Sequence, residues 1–135
     1  MRFCFLLLWM SAFWLPTQAQ VSTQKAHQLY GTASFYHDKF EGRRTASGAI
    51  FRQDSLTAAH KSLPLGTRVI VTNREKTLKV EVVINDRMSH RSPHIIDLSK
   101  KAALQLGIGR QGFAWVSIDM VPKLPLPNPS PAPVP

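Results

Sequence analysis

The chain has 135 residues, 44% of them hydrophobic, and 17 Lys and Arg set against 8 Asp and Glu give it a net charge of +9. Its one cysteine, Cys4, excludes an intramolecular disulfide, so any core must hold by packing alone. Once the two terminal segments are set aside, the length leaves room for a single small domain of about ninety residues.

Residues 1–19, MRFCFLLLWMSAFWLPTQA, begin with one positive charge at Arg2, run apolar from Phe3 to Leu15, and end with Thr17 and Ala19 at small-residue cleavage positions. This is the pattern of a secretory signal peptide, and the run is too short for a spanning helix of about 20 apolar residues. Cleavage would start the mature chain near Gln20 and remove Cys4, which lies at the wrong end of the leader for lipid attachment. The expected product is periplasmic or secreted, with no lipid anchor and no membrane span. A basic balance first suggests nucleic acid. Export argues against it and points to the acidic polymers of the envelope, cell-wall glycan with its carboxylates and phospholipid head groups.

Residues 20–29 are polar and expected to be flexible. The domain follows at 30–121, mostly as short strands: YGTASFY (30–36), LTAAH (56–60), TRVIVTN (67–73), LKVEVVIN (78–85) and GFAWVSIDMV (112–121), each rich in β-branched or aromatic residues. In the fourth, Val80, Val82 and Ile84 alternate with Lys79, Glu81 and Val83, the period of a strand with one buried face. NREKT (73–77) reads as a hairpin turn. The long stretch 37–55 between the first two strands has no period of its own.

One helix is expected. Ser99 can cap KKAALQL, Leu98 and Ala103 occupy the staple positions, and Gly107 ends it. Beyond Val121, PKLPLPNPSPAPVP holds seven prolines in fourteen residues and is expected to be an extended, disordered tail (122–135). Many short strands and one helix in so few residues favour a closed or nearly closed barrel, which removes exposed edges.

In order and at their spacings, GTASFY, EGRRTASG, LTAAHKSLPLGTRVIVTN, VVINDR and IIDLSKKAALQLG resemble the rare lipoprotein A family of bacterial cell-wall proteins, over nearly the whole of 30–121. The resemblance implies a mainly β fold, a six-stranded double-psi β-barrel shared with expansins. It also implies endolytic lytic transglycosylase activity on peptidoglycan glycan strands, with a preference for strands lacking stem peptides. The family's histidine in the TAAH motif falls on His60 and the aspartate of its NDR motif on Asp86. Two positions depart from the pattern: Ala49 stands where a glutamate usually follows TASG, and Met88-Ser89 where Gly-Pro usually follows NDR.

In such chemistry the muramic residue's own C6 hydroxyl displaces the glucosamine, leaving a 1,6-anhydro ring, and one carboxyl can first give and then take the proton. Asp86, after an apolar strand and so at a barrel rim, is the candidate acid and base, with His60 placed to bond the acid or a sugar hydroxyl. Asp97 is a reserve carboxyl, and its simplest role is to favour the helix N-terminus that follows it. Arg43, Arg44, Lys61 and Arg87 are candidates for an anionic glycan groove. His90 and His94 would suit a metal on a helix, but Pro93 argues against a helix there, so no metal or cofactor is expected. The expected partner is peptidoglycan, bound by a monomer. The alternatives are an expansin-type wall-binding module that does not cut, and an envelope scaffold whose proline tail docks a partner.

Overall fold

The computed structural model describes residues 28–123. The expected leader, most of the segment 20–29 and the tail beyond Lys123 lie outside the described residues. Within them the chain forms β1 (Leu29–Phe35), a single 3-10 turn at Asp38–Phe40, β2 (Thr57–His60), β3 (Arg68–Asn73), β4 (Lys79–Arg87), β5 (Ile96–Leu98), α1 (Lys100–Gln105) and β6 (Ala114–Met120). The six strands close into a barrel in the order β1-β5-β2-β4-β3-β6. β1 with β5 and β2 with β4 pair in parallel, and the other neighbours pair antiparallel.

The alternation read in β4 is the reason for closure. Val80, Val82 and Ile84 face inward and meet Val69 and Val71 of β3, Ile96 and Leu98 of β5, and Val116 and Ile118 of β6 in one buried core. Each such side chain contributes about 1.5–3 kcal/mol by leaving water, so shortening the fully buried Ile84 to Ala should cost about 2–5 kcal/mol. β3 and β4 form the expected hairpin. At its turn the Asn73 side chain accepts from the amides of Glu75 and Lys76, and Thr77 takes the left-handed conformation at φ 57°.

The helix forms where its caps place it. The Ser99 hydroxyl accepts from the Ala102 amide at 3.3 Å, Leu98 and Ala103 both enter the core, and Gly107 takes φ +70° just past the end. α1 and its C-cap residue Leu106 bury Ala102, Ala103 and Leu106 against the barrel, and Asn73 Nδ2 donates to the Leu106 carbonyl at 2.8 Å, tying helix to hairpin.

Two elements differ from the sequence reading. β5 has only three residues, too few for a period to show, and it is recognisable only by its pairing with both β1 and β2. β4 runs on to Arg87, which brings Asp86 into the sheet rather than leaving it in the loop beyond.

Candidate active site

The site begins with a fault in the sheet. Along the parallel β2–β4 pair Ala58 is opposite Ile84, but Ala59 is opposite Asp86, so Asn85 is passed over at a register shift. Without the shift, strict alternation would send Ile84 and Asp86 to the same side. An extra residue reverses the facing of every residue beyond it, so Ile84 stays in the core while Asp86 joins Ala59 on the outer surface. Ala59 is also opposite Asp97 of β5, and Asp97 is opposite Ser34 of β1. One outer row therefore reads Ser34, Asp97, Ala59, Asp86 across four adjacent strands. The two carboxylates flank Ala59 with their Cα atoms about 10 Å apart, two strand spacings.

Each carboxylate is held by neutral donors. Asp86 Oδ1 accepts from the Ala46 amide at 2.9 Å and the Arg87 amide at 2.8 Å, and Oδ2 accepts from the Tyr36 hydroxyl at 2.6 Å. Asp97 accepts from the Ser34 hydroxyl. Among the described residues no hydrogen bond joins the Asp97 side chain to the α1 amides, and the hydroxyl of Ser34 is its side-chain partner.

Tyr36 is the site residue that sequence reasoning misses. It follows β1 on the same face as Ser34, and its side chain reaches over β5 and β2 to Asp86 on β4. A small residue at 59 leaves room for that crossing. Its ring is fixed by Phe51, with centroids 4.3 Å apart, and by Phe40, edge-on at 5.7 Å. Burial, the hydrogen bond it gives Asp86, and the charges of Asp86 and Asp97 all push its pKa far above the usual phenol value. Tyr36 is thus a neutral, permanent donor between the two acids. The only signal for it in the sequence is parity with Ser34 in GTASFY.

His60 ends β2 and is 6% exposed. Its Nδ1 accepts from the amides of Ser62 at 3.1 Å and Leu63 at 3.0 Å. This puts the ring proton on Nε2. In this structure it makes no hydrogen bond to Asp86, whose row lies on the opposite side of β2. Desolvation first, then Arg87 and Lys61, lower its pKa below the ordinary histidine value. With Lys61, His90 and Tyr30 it lines a cavity of about 320 Å³. His94 is engaged elsewhere, its Nδ1 lying 2.9 Å from the Thr32 hydroxyl.

The four candidate cations make their contacts elsewhere than with the two acids. Arg44 donates to the Gly48 carbonyl at 2.8 Å, Lys61 to the Ser92 carbonyl at 2.7 Å and Arg87 to the His60 carbonyl at 3.4 Å. Arg43 stands over the Phe40 ring at 5.4 Å. None of the four has a carboxylate within ion-pair distance among the described residues. Arg43 and Arg44 belong to the loop that supplies the Ala46 amide, which is pinned to β4 by a second bond from the Ser47 amide to the Asn85 carbonyl at 3.1 Å. Ala49 ends that turn, exposed, with its carbonyl bonded to Thr45. Met88, two residues past Asp86, is buried.

The closed order β1-β5-β2-β4-β3-β6, with parallel pairing of β1 to β5 and of β2 to β4, is that of a double-psi β-barrel protein. The family model described as "Lytic transglycolase" matches residues 28–118, and the chain belongs to that family. It is 48% identical over 91 residues to the endolytic peptidoglycan transglycosylase RlpA of Pasteurella multocida, covering 67% of this chain and 31% of that protein. To the protein of the same name from Pseudomonas aeruginosa it is 41% identical over 103 residues, covering 76% of this chain and 30% of that one. The chain therefore spans about three tenths of the length of these relatives. Among solved structures, the Streptomyces papain inhibitor superposes with a TM-score of 0.57 at 19% identity, over 73% of this chain and 98% of that one. The apo expansin of Clavibacter michiganensis gives 0.57 at 23% identity, over 74% and 52%. These two share the barrel.

Proposed function

We propose that this chain is a lytic transglycosylase that cuts peptidoglycan glycan strands endolytically, preferring strands without stem peptides and leaving 1,6-anhydro-muramyl ends. The observation that carries the reading is the sheet fault that turns Asp86 out beside Ala59, in a chain whose relatives bear the name endolytic peptidoglycan transglycosylase. A proton on Asp86 passes to the glucosamine oxygen as the bond from the muramic anomeric carbon breaks. The muramic C6 oxygen then bonds to that carbon and returns its own proton to Asp86, so atoms balance without water.

Asp97, across Ala59, stabilises the positive charge that develops on the sugar ring. Tyr36 fixes the orientation of Asp86, and His60 assists from the cavity on the other side of β2, its ring proton on Nε2. Arg43, Arg44, Lys61 and Arg87 supply positive charge for the lactyl carboxylates of muramic residues. The chain works outside the cytoplasmic membrane as a monomer after loss of residues 1–19, with its barrel domain over 30–121. Among the described residues no helix is long and apolar enough to cross a membrane.

A non-cutting, expansin-like binding module is the second reading, and Ala49 favours it by leaving the turn beside Asp86 without a carboxylate. Mass spectrometry of products from amidase-treated glycan separates the two. Anhydro-muramyl ends are expected; reducing ends would mean hydrolysis, and glycan bound but uncut would mean the binding module.

A further inference from the structure

The outer face of β1 continues past the acids. By strand alternation Ser34, Thr32 and Tyr30 share it, a run from the acid row to Tyr30 of about 13 Å at the usual strand rise. On β6 Trp115 is directly opposite Thr32, and Tyr30, opposite Ser117, is its diagonal neighbour, within reach of aromatic side chains. Phe113, just before β6, stacks on His94 with ring centroids 6.5 Å apart, and His94 is bonded to Thr32. Arg74 lies 5.5 Å from the centre of the Tyr30 ring.

Tyr30, Phe113 and Trp115 are 51%, 48% and 49% exposed. A single exposed aromatic needs no explanation. Three close together on one sheet face, interleaved with a hydroxyl and a histidine, form a surface patch of the kind that marks a binding site. We infer that this Tyr30–Trp115 face is a distal subsite for the glycan, where a pyranose further along the strand being cut stacks its apolar C–H face on the Trp115 indole. A pyranose has flat apolar faces and a hydroxyl rim. Half-exposed rings flanked by Thr32 and His94 match both, and Arg74 beside Tyr30 suits a lactyl carboxylate. Continuity with the acid row along one strand face selects glycan over a protein partner or a second copy.

The inference rests on the proposed reading that glycan is what the acid row takes, and the test separates the two. In full-length protein carrying Asp86→Asn, so that strands are held uncut, Trp115→Ala should weaken co-sedimentation with amidase-treated glycan by about 5–10-fold. The melting temperature should be unchanged, and Trp115→Phe should recover most of the binding. Equal binding by Trp115→Ala, no binding by Asp86→Asn alone, or a loss that tracks dissociation of a dimer in sedimentation would each overturn the subsite. If the parent makes no anhydro ends yet Trp115→Ala still loses glycan, the lytic reading falls and the subsite stands.

Discussion

The β3–β4 hairpin and the β1–β5–β2–β4 surface belong to one barrel and treat charge in opposite ways. In the hairpin the register runs unbroken from Arg68–Val83 to Thr72–Lys79, and Arg68 Nε donates to Glu81 at 2.7 Å, so opposite charges satisfy each other. On the acid surface the register slips, two pairings are parallel, and Asp86 and Asp97 are held by a phenol, a serine hydroxyl and two amides. The nearby cations Arg44, Lys61 and Arg87 go to carbonyls instead. The regular region pairs its charges locally, and the irregular one leaves its acids and cations without ion pairs, the arrangement that the proposed cleavage site calls for.

The sharpest break of this contrast is by loss of a carboxylate that keeps its shape. In Asp86→Asn the amide oxygen can still accept from Ala46 and Arg87, while its NH₂ can donate to Tyr36, whose hydroxyl then accepts. Folding should survive, and formation of anhydro ends should fall by about 10²–10⁴-fold with loss of the proton-transfer group. Asp97→Asn keeps the Ser34 bond, so its melting temperature should also hold, with a smaller fall in rate. Glu81→Gln in the hairpin should leave the rate alone. If Asp97→Asn abolishes cleavage and Asp86→Asn does not, the two acids have exchanged roles.

A milder break leaves both acids in place and removes what orients them. Tyr36→Phe keeps the ring packed on Phe51 and Phe40 and deletes only the donor to Asp86. The loss of one hydrogen bond to a charged group, worth about 1.5–3 kcal/mol, should appear mainly as a drop in kcat of about tenfold or more. An unchanged kcat in a folded variant would show that the two backbone amides suffice to hold Asp86.

Why the hairpin is readable in the sequence and the acid row only partly so is a matter of range. β3, β4 and α1 are announced by alternation and caps within a few residues, and each of those signals is local. β5 is three residues long and exists because β1 and β2 close on it, a constraint no window of sequence contains. Asp86 and His60 can be singled out through their motifs, but that Asp86 shares a face with Asp97 depends on the shift at Asn85, and that Tyr36 bonds Asp86 depends on a side chain crossing two strands. Sequence reasoning puts Asp97 at a helix end because α1 is its next neighbour in the chain. In space its partner is Ser34, 63 residues away.

His60 gives a pH-dependent version of the same contrast. Its folded-state pKa lies below the ordinary histidine value of 6.5, through burial first and then Arg87 and Lys61. Above that value both folded and unfolded chains hold it neutral and its contribution is intact. As pH falls the unfolded chain takes a proton that the folded one resists, so stability is lost down to the folded pKa and then levels off. Protonation would also end acceptance from the Ser62 and Leu63 amides. Between about pH 7.5 and pH 5.5, the melting temperature of the parent should therefore fall further than that of His60→Gln, whose amide oxygen can replace Nδ1 at any pH. Parallel curves for the two would mean that His60 does not couple folding to protons.

The smallest effect expected is the hairpin ion pair itself, and it bears most directly on the comparison because it asks how much stability the paired charges supply. Both partners of Arg68–Glu81 are well exposed, with side chains 65% and 41% accessible. Such pairs gain little Coulomb energy in water and lose side-chain freedom. A double-mutant cycle with Arg68→Gln and Glu81→Gln should therefore give a coupling of about 0.2–1 kcal/mol. Raising salt to about 1 M shortens the screening length to about 3 Å and should remove most of it. A coupling well above that range, or one insensitive to salt, would mean that the hairpin's charges hold the barrel together in their own right. The stability of the regular region would then come from its surface as well as from the Val80, Val82 and Ile84 face beneath it.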